Sequence, residues 1–278
     1  MDIDFPPVKK HIKDLVKINI QPEKEHAEFL TREEYYSVFP EPIPAQKNLP
    51  GWFERLDIFD SYENGERNQN KTTAKACAPL LEGMTTGWIL RTPVDLYFKT
   101  QGKQLQIDVP DNDFDFDPVF IHDEYVWGGN ENLPEEFSGM IQFGTPWIIS
   151  VPEGYSIWQL PLLNRWEYEA QKYFYPFSGI RDVDTRFAYI NQTCFLNAGD
   201  DMNYRMKSGT PISQFVIINR NSFINTATVR PTTKQEDLKC RQSAVDKQRN
   251  GHRYREDMWH PIPSPRNIHK DQNGCPFK

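Results

Sequence analysis

Short apolar runs separated by turn residues constrain the fold of this chain more than any other feature of its sequence. Most of the runs are bounded by Pro, Gly or Asn, as strands usually are. Eight of them follow one another along the chain: Trp88 to Leu90, Val94 to Phe98, Leu105 to Val109, Met140 to Phe143, Trp147 to Val151, Ile157 to Leu163, Phe187 to Leu196 and Gln214 to Asn219. Because no helical pattern separates them, they predict an all-β sandwich or barrel rather than alternating β-α-β units.

Composition divides the chain into three parts. Residues 1–75 are interrupted by prolines and polar loops and predict only short helices, residues 76–222 hold the β-domain, and residues 223–278 form a basic arm that is helical and then Pro-rich. The arm has too few apolar helical positions to pack on a core by itself, so we expect it to be extended. Two pairs with the spacing of a capping box predict helix starts: Thr31 with Glu34, and Thr233 with Glu236.

Charge is distributed unevenly over a chain whose formal net charge is -7. Residues 230–278 carry 11 Lys and Arg against 6 Asp and Glu, a net +5, and residues 1–229 carry 21 against 33, a net -12. An acidic body with a basic tail attracts copies of itself or an acidic partner. We therefore expect protein partners, in a homo-oligomer or a larger assembly formed through residues 230–278. Acidic residues interleave the basic ones there, so nucleic-acid binding is not expected.

The remaining composition argues against several classes of protein. Four widely spaced cysteines match neither a zinc ribbon nor a disulfide framework. No apolar run reaches the ~18 residues that a membrane helix needs, and the acidic start, Met1 to Asp4, lacks the charged-then-apolar order of a signal peptide. Neither a Gly-rich phosphate loop nor a nucleophile elbow is present. We expect no membrane, no metal and no cofactor.

Two acidic residues, Asp182 and Asp184, precede a long predicted strand. Side chains at positions i and i+2 of a strand share one face, so both carboxylates could point into one cleft. Asp182 and Asp184 are therefore the candidate catalytic residues. The alternative is structural: the two carboxylates cap a turn, and Gly209 forms a tight corner.

The segment 177–220 resembles the dUTPase and dCTP deaminase group of trimeric β-folds. The positions that match the motifs of that group are Gly179, Asp182, Asp184, Asn197, Gly209, Ile212 and Gln214. The resemblance implies nucleotide hydrolysis in which Asp182 helps to activate the attacking water. The chain departs from the group at Thr185, where an aromatic residue is expected, and at residues 164–167, which lack the Ser of the phosphate-binding segment.

A wider stretch, roughly residues 77–220, resembles a family of uncharacterised phage and bacterial proteins. The shared pieces are Cys77-Ala78-Pro79-Leu80 with Gly87-Trp88-Ile89, Pro146-Trp147-Ile148, Pro152-Glu153-Gly154-Tyr155-Ser156, Pro161-Leu162-Leu163-Asn164, and the segment around Gly179 and Asp184. No activity comes with this resemblance. It implies a viral or prophage context, and hence the cytoplasm of a host cell or a virion, without secretion by a signal peptide.

An acidic run extends from residue 108 to residue 117 and alternates Asp with Phe114 and Phe116. A calcium-binding EF-hand loop needs a central Gly and a terminal Glu, and this run has neither. The alternation instead predicts an edge strand with one wet face, where charge discourages pairing with another sheet.

A second chemical pattern is the pair His122 and Glu124. Together with a distal His252, it would form the facial triad of an Fe(II)-dependent oxygenase. The sequence as a whole favours a non-enzymatic structural or assembly β-domain protein of viral type, which binds itself or a larger particle. Two alternatives stay open: a dUTPase-like nucleotide hydrolase that uses Asp182, and an Fe(II)-dependent oxygenase that uses His122 and Glu124.

Overall fold

β-Strands make up most of the regular structure in the computed structural model, which describes residues 26–59, 62–63, 66–67, 73–101, 104–110, 114–185, 188–199 and 202–249. The strands are β1 (Glu28–Leu30), β2 (Ile43–Pro44), β3 (Tyr62–Glu63), β4 (Glu66–Arg67), β5 (Trp88–Arg91), β6 (Leu96–Gln101), β7 (Gln104–Asp108), β8 (Val119–Ile121), β9 (Gly139–Ser150), β10 (Tyr155–Leu160), β11 (Phe174–Pro176), β12 (Gly179–Asp182), β13 (Tyr189–Leu196), β14 (Asn203–Met206) and β15 (Pro211–Asn219). The helices are α1 (Glu33–Tyr36), α2 (Gly51–Arg55), α3 (Ala78–Thr85), α4 (Ala170–Tyr173) and α5 (Lys234–Arg249).

The strands pair into three antiparallel sheets and one hairpin within the described residues. Sheet A has the order β1-β9-β13-β11, and β8 also pairs with β9. Sheet B has the order β12-β10-β15-β5-β2. Sheet C has the order β14-β6-β7, and β3 pairs with β4 in the hairpin. Most of the predicted runs are therefore strands, with shifted ends.

Sheet A packs face to face on sheets B and C. The buried side chains shared by sheets A and B include Leu90, Trp147, Ile149, Ile157, Ile190 and Phe215. Those shared by sheets A and C include Leu96, Phe98, Ile141, Phe143, Cys194 and Tyr204. Burial of each large apolar side chain contributes about 1.5–3 kcal/mol to stability. The chain is thus an all-β sandwich with short helices, and the fold class predicted from its apolar runs is confirmed.

Strand β9 contains a proline, although proline cannot donate a hydrogen bond to a neighbouring strand. Pro146 lies where the ladder is interrupted, because the register with β13 shifts between Tyr189 and Asn191. On the opposite edge of β9, β8 pairs with residues 141–143 and β1 pairs with residues 148–150, so neither needs the missing donor. The proline sits at an irregularity, and the two runs predicted on either side of it form one strand.

Residues 26–59 belong to the same body as the strands that follow. β1 pairs with β9 and β2 pairs with β5, so these short strands extend sheets A and B. Tyr35 and Phe39 lie in the core cluster of sheets A and C, and Phe53 is buried against α3. Residues 26–59 of the predicted N-terminal preface are thus packed into the β-domain. Residues 1–25 lie outside the described residues.

The capping box predicted at Thr31 and Glu34 is wrong. α1 begins after Arg32, whose side chain makes no capping hydrogen bond. The Oγ1 atom of Thr31 instead donates to the carbonyl oxygen of Pro146 at 2.8 Å. The residue that follows β1 therefore uses, in a contact with β9, the hydroxyl group that the local pattern assigns to the helix.

The edge strand predicted for the acidic run is also wrong over residues 114–117, and β7 ends at Asp108. The rings of Phe114 and Phe116 stack with centroids 5.2 Å apart and an interplanar angle of 12°. Both rings meet Tyr35 and Phe39 edge to face. The phenylalanines therefore anchor an irregular segment to the core, while residues 111–113 lie outside the described residues.

The C-terminal arm follows sheet B and contains α5. Its predicted capping box is confirmed, because Thr233 N–H donates to Glu236 Oε2 at 2.7 Å and Glu236 N–H donates to Thr233 Oγ1 at 3.3 Å. A hydrogen bond from Arg230, together with those of Thr233, lowers the pKa of Glu236 to about 2. Among the described residues, no helix is both long and apolar enough to span a membrane.

Candidate functional site

The candidate residues Asp182 and Asp184 lie at one end of sheet B, where β12, β10 and β15 run side by side. Ser156 pairs with Asp182 on one side and with Ile218 on the other, so these three residues share one row across the sheet. Arg220 follows β15 two residues after Ile218, which brings its side chain to the same end. The strand register thus assembles two carboxylates, a hydroxyl group and a guanidinium group.

The guanidinium group of Arg220 binds both carboxylates. Its Nη1 atom lies 3.3 Å from Asp182 Oδ1 and 3.1 Å from Asp184 Oδ1, and its Nη2 atom donates to Asp184 Oδ2. Nη1 also donates to the carbonyl oxygen of Tyr155 and to Ser156 Oγ, both at 2.9 Å. Ser156 Oγ donates in turn to Asp182 Oδ1 at 2.7 Å. The four side chains form one hydrogen-bonded network.

Asp184 is the buried member of this network, with a side chain only 1% exposed. Its Oδ2 atom also accepts a hydrogen bond of 2.8 Å from the N–H of Gly154, which has a φ of 85° in the left-handed region that favours glycine. The hydrogen bond from Arg220, followed by that from Gly154, lowers the pKa of the Asp184 carboxyl group and outweighs its desolvation. Asp184 therefore ties the turn before β10 to the end of β15.

Asp182 differs from Asp184 because its side chain is 64% exposed. It borders a cavity of about 330 Å³ that is lined by Arg181, Asp182, Val183, Thr185 and Ala188. The two carboxylates converge on the guanidinium group of Arg220, although only Asp182 belongs to strand β12. They do not share the cavity, because β12 ends at Asp182 and the chain then turns Asp184 inward.

The other positions of the dUTPase-like pattern are spread over the sandwich. Gly179 begins β12, and Asn197 is exposed after β13, where its N–H donates to the Tyr173 carbonyl oxygen at 2.7 Å. Gly209 has a φ of 82° in the turn before β15, which fits the predicted corner. Ile212 lies in the core. None of these four residues lines the cavity beside Asp182.

Gln214 is buried and belongs to a different centre, which sequence reasoning did not predict. Its Oε1 atom accepts a hydrogen bond of 3.0 Å from Arg165 Nη1, and its Nε2 atom donates to the carbonyl oxygens of Gly83 and Thr86 at 2.9 and 2.7 Å. The amide side chain therefore joins β15 to the end of α3 and to Arg165.

Arg165 is fully buried, and each of its five N–H groups has an acceptor. Besides Gln214 Oε1, the acceptors are four carbonyl oxygens: Asn48 at 2.9 Å, Leu163 at 3.1 Å, Ala45 at 3.2 Å and Met84 at 2.9 Å. Burial lowers the pKa of Arg165 to about 10. Arg165 is thus a structural cation, and its position within residues 164–167 does not make it available to a phosphate group.

The backbone at Asn164 sets up this arrangement. Its φ of 58° lies in the left-handed region, which Asn tolerates better than most other non-glycine residues. The next residue, Arg165, points inward, whereas Trp166 is 61% exposed and stacks on Trp52 with ring centroids 4.6 Å apart. The sequence Asn164-Arg165-Trp166 by itself did not predict this turn.

The predicted iron site receives no support from the described residues. His122 follows β8 and Glu124 begins a 3-10 turn, but no group of three His, Cys, Asp or Glu side chains in the described ranges could hold a metal ion. His252, the predicted distal ligand, lies outside the described residues.

Comparison with known proteins leaves the chain without an assigned family. No protein-family model matches the sequence, and no curated protein matches it either. Among solved structures, the native dUTPase of EIAV is similar over 53% of this chain and 87% of its own, with 15% sequence identity and a TM-score of 0.29. The resemblance is weak. The fold class therefore rests on the strand pairing described above.

Proposed function

We propose that this chain is a non-enzymatic assembly protein, whose β-sandwich binds other copies of itself, or a larger particle, through its C-terminal arm. One observation carries the proposal: the arm is exposed at residues 223–235 and 238–245, with Ile224 at 90% and Val229 at 99%. Burial of such side chains is worth about 0.8 kcal/mol for each CH₂ group. Binding of a partner surface that covers the arm is favoured by this free energy.

The arm is prepared for binding by its own local contacts. The capping box at Thr233 starts α5, and Arg241 binds Asp237 one turn away, with a distance of 2.9 Å between Nε and Oδ2. A helix that is already formed loses less conformational entropy when it docks.

Charge supports a second copy of the chain as the partner. Residues 230–278 carry a net +5 and residues 1–229 carry a net -12, so the arm of one copy is attracted to the body of another. The proposal also places this protein in a viral or prophage context. That part rests only on the sequence resemblance over residues 77–220.

Deletion of residues 223–278 is expected to leave the sandwich folded, because every strand of sheets A, B and C precedes that point. Self-association should weaken by about tenfold or more, which corresponds to about 1.4 kcal/mol of lost contact. Sedimentation velocity over a range of protein concentrations measures the association, and far-ultraviolet circular dichroism checks the fold. A truncated chain with the association constant of the full chain contradicts the role of the arm.

A nucleotide hydrolase is the second candidate function, because Asp182 and Arg181 border the same cavity. A carboxylate that accepts a proton and a guanidinium group that binds phosphate are the groups such a reaction needs. On this hypothesis, the protein releases pyrophosphate from nucleoside triphosphates in the presence of magnesium, and Asp182→Asn abolishes the release. The control Asp123→Asn, which changes another exposed acid, leaves the release unaffected. The assembly proposal instead expects no release above background from the unmodified protein.

A further inference from the structure

The acidic residues of the body are concentrated in one stretch of sequence. Residues 104–164 contain 11 Asp and Glu and no Lys or Arg, so this stretch supplies a net -11 of the -12 that residues 1–229 carry. A basic arm that is attracted to the body is therefore attracted to this stretch above all. The docking surface is therefore expected among the exposed residues of this stretch.

One part of the stretch, the β8 surface, combines exposed acids with exposed apolar side chains. We define it as residues 119–136, which include β8 and two 3-10 turns, Glu124–Trp127 and Asn130–Asn132. Its exposed apolar side chains are Phe120 (37%), Ile121 (49%), Tyr125 (80%) and Val126 (44%). Its exposed acids are Asp123, Glu124, Glu131, Glu135 and Glu136.

The β8 surface is also an edge of sheet A and is held in place. β8 pairs with β9 alone within the described residues, so its outer backbone edge is open to another chain. The N–H of His122 donates to the Met140 carbonyl oxygen at 2.9 Å, and the N–H of Gly129 donates to the Glu124 carbonyl oxygen at 3.1 Å. A surface that is already ordered loses little entropy on binding.

The arm carries the complementary pattern on one face of α5. Leu238 and Val245 are seven residues apart, which places them on the same side of a helix about 10 Å from each other. Lys234 and Arg241 lie on that side as well, at four residues before and three residues after Leu238. Leu238 is 66% exposed, Val245 is 38% exposed, and the side chain of Arg241 is 76% exposed. We call these four residues the arm stripe.

We propose that the arm stripe of one copy docks on the β8 surface of a second copy. Leu238 and Val245 cover apolar side chains such as Tyr125, and Lys234 and Arg241 approach acids such as Asp123. The inference rests on the proposed assembly function and adds to it the two surfaces that meet. Because both surfaces combine exposed apolar and charged side chains, burial supplies affinity and charge supplies register and association rate.

The first test uses paired variants of the full chain. Asp123→Lys combined with Tyr125→Ser is expected to raise the dissociation constant for self-association by about tenfold or more. The control Glu153→Lys changes an exposed acid of the same acid-rich stretch outside the β8 surface, and it should change that constant by less than about threefold. The arm variant Leu238→Ser with Val245→Ser should match the β8-surface variant. Sedimentation velocity reads out the constants, and circular dichroism checks the fold.

The outcomes separate the inference from the function on which it rests. If the arm variant weakens association and the β8-surface variant behaves like Glu153→Lys, the docking surface is overturned and arm-mediated assembly stands. If neither variant weakens association, or the unmodified chain is monomeric throughout, the docking surface and arm-mediated self-association are both overturned.

A second test reads out the contact directly. Leu238 is replaced by the photoreactive amino acid benzoylphenylalanine, and chains labelled with ¹⁵N are mixed with unlabelled chains before illumination. The expected adduct joins position 238 to a peptide from residues 119–136 of the other isotopic form. Adducts that form only within one copy, or only with other peptides, overturn the proposal.

Discussion

Replacement of Arg165 with Met is expected to lower the free energy of unfolding by about 4 kcal/mol, measured by urea denaturation. Arg165 is fully buried and its five N–H groups serve four carbonyl oxygens and the side chain of Gln214. Replacing a whole buried ion pair by apolar groups is often neutral, but here the acceptors are mostly backbone and cannot be replaced. The substitution leaves them buried and unpaired, and that cost outweighs the gain from removing a desolvated charge.

Two further variants make the Arg165 result specific. Arg205→Met removes an arginine that is 53% exposed and binds Asp95, so it should cost less than about 1 kcal/mol. Arg165→Lys keeps the charge but offers three donors to five acceptors, so its cost should fall between the other two. If Arg165→Met proves no more destabilising than Arg205→Met, the buried network contributes little to the fold.

Asp184→Asn is expected to lower the free energy of unfolding by about 2 kcal/mol at pH 7, the range for hydrogen bonds to a charged group. The side chain is 1% exposed and accepts hydrogen bonds from Arg220 and from the N–H of Gly154. An asparagine offers one oxygen and no charge to these donors. Asp182→Asn is the matched control, since that side chain is 64% exposed and should cost less than about 1 kcal/mol.

The stabilisation that Asp184 provides should also decrease as the pH falls. Its pKa is lowered in the folded state, chiefly by Arg220, so the unfolded chain takes up the proton first as pH falls. The stabilisation is therefore complete above the usual Asp pKa of about 3.9 and is lost as pH falls through the lower folded value. The difference between the unmodified chain and Asp184→Asn should shrink over that window, and a constant difference contradicts the charge pairing.

Elements with a strong local pattern were predictable from the sequence. The apolar runs between turn residues predict seven strands of the sandwich: β5, β6, β7, β9, β10, β13 and β15. The Thr233–Glu236 pair predicts the start of α5, because both halves of that cap are local. The same pattern failed at Thr31, whose hydroxyl group binds Pro146, more than a hundred residues away in the chain. A local rule holds only where no distant partner competes for the same group.

The candidate site was predictable only in part, for a similar reason. The spacing of Asp182 and Asp184 predicted one shared cleft, but β12 ends at Asp182, so that carboxylate is exposed and the Asp184 carboxylate is buried. Arg220 has no spacing relation to either and reaches them only through the register of β15 with β10. Arg165 was missed because arginine is usually exposed, and no periodic pattern distinguishes the rare buried one.

The long strand β9 has consequences for how the protein is made. It pairs with the nearby strand β8, but also with β1, more than a hundred residues earlier, and with β13, about fifty residues later. Strand β10 likewise pairs with β15, near the end of the sandwich. Contacts so distant along the chain make folding slow, because loops must close before pairing is rewarded. During synthesis, the apolar strand β9 leaves the ribosome before β13, its neighbour in the interior of sheet A, has been made. The nascent chain is therefore expected to depend on chaperones until residue 219 has left the ribosome.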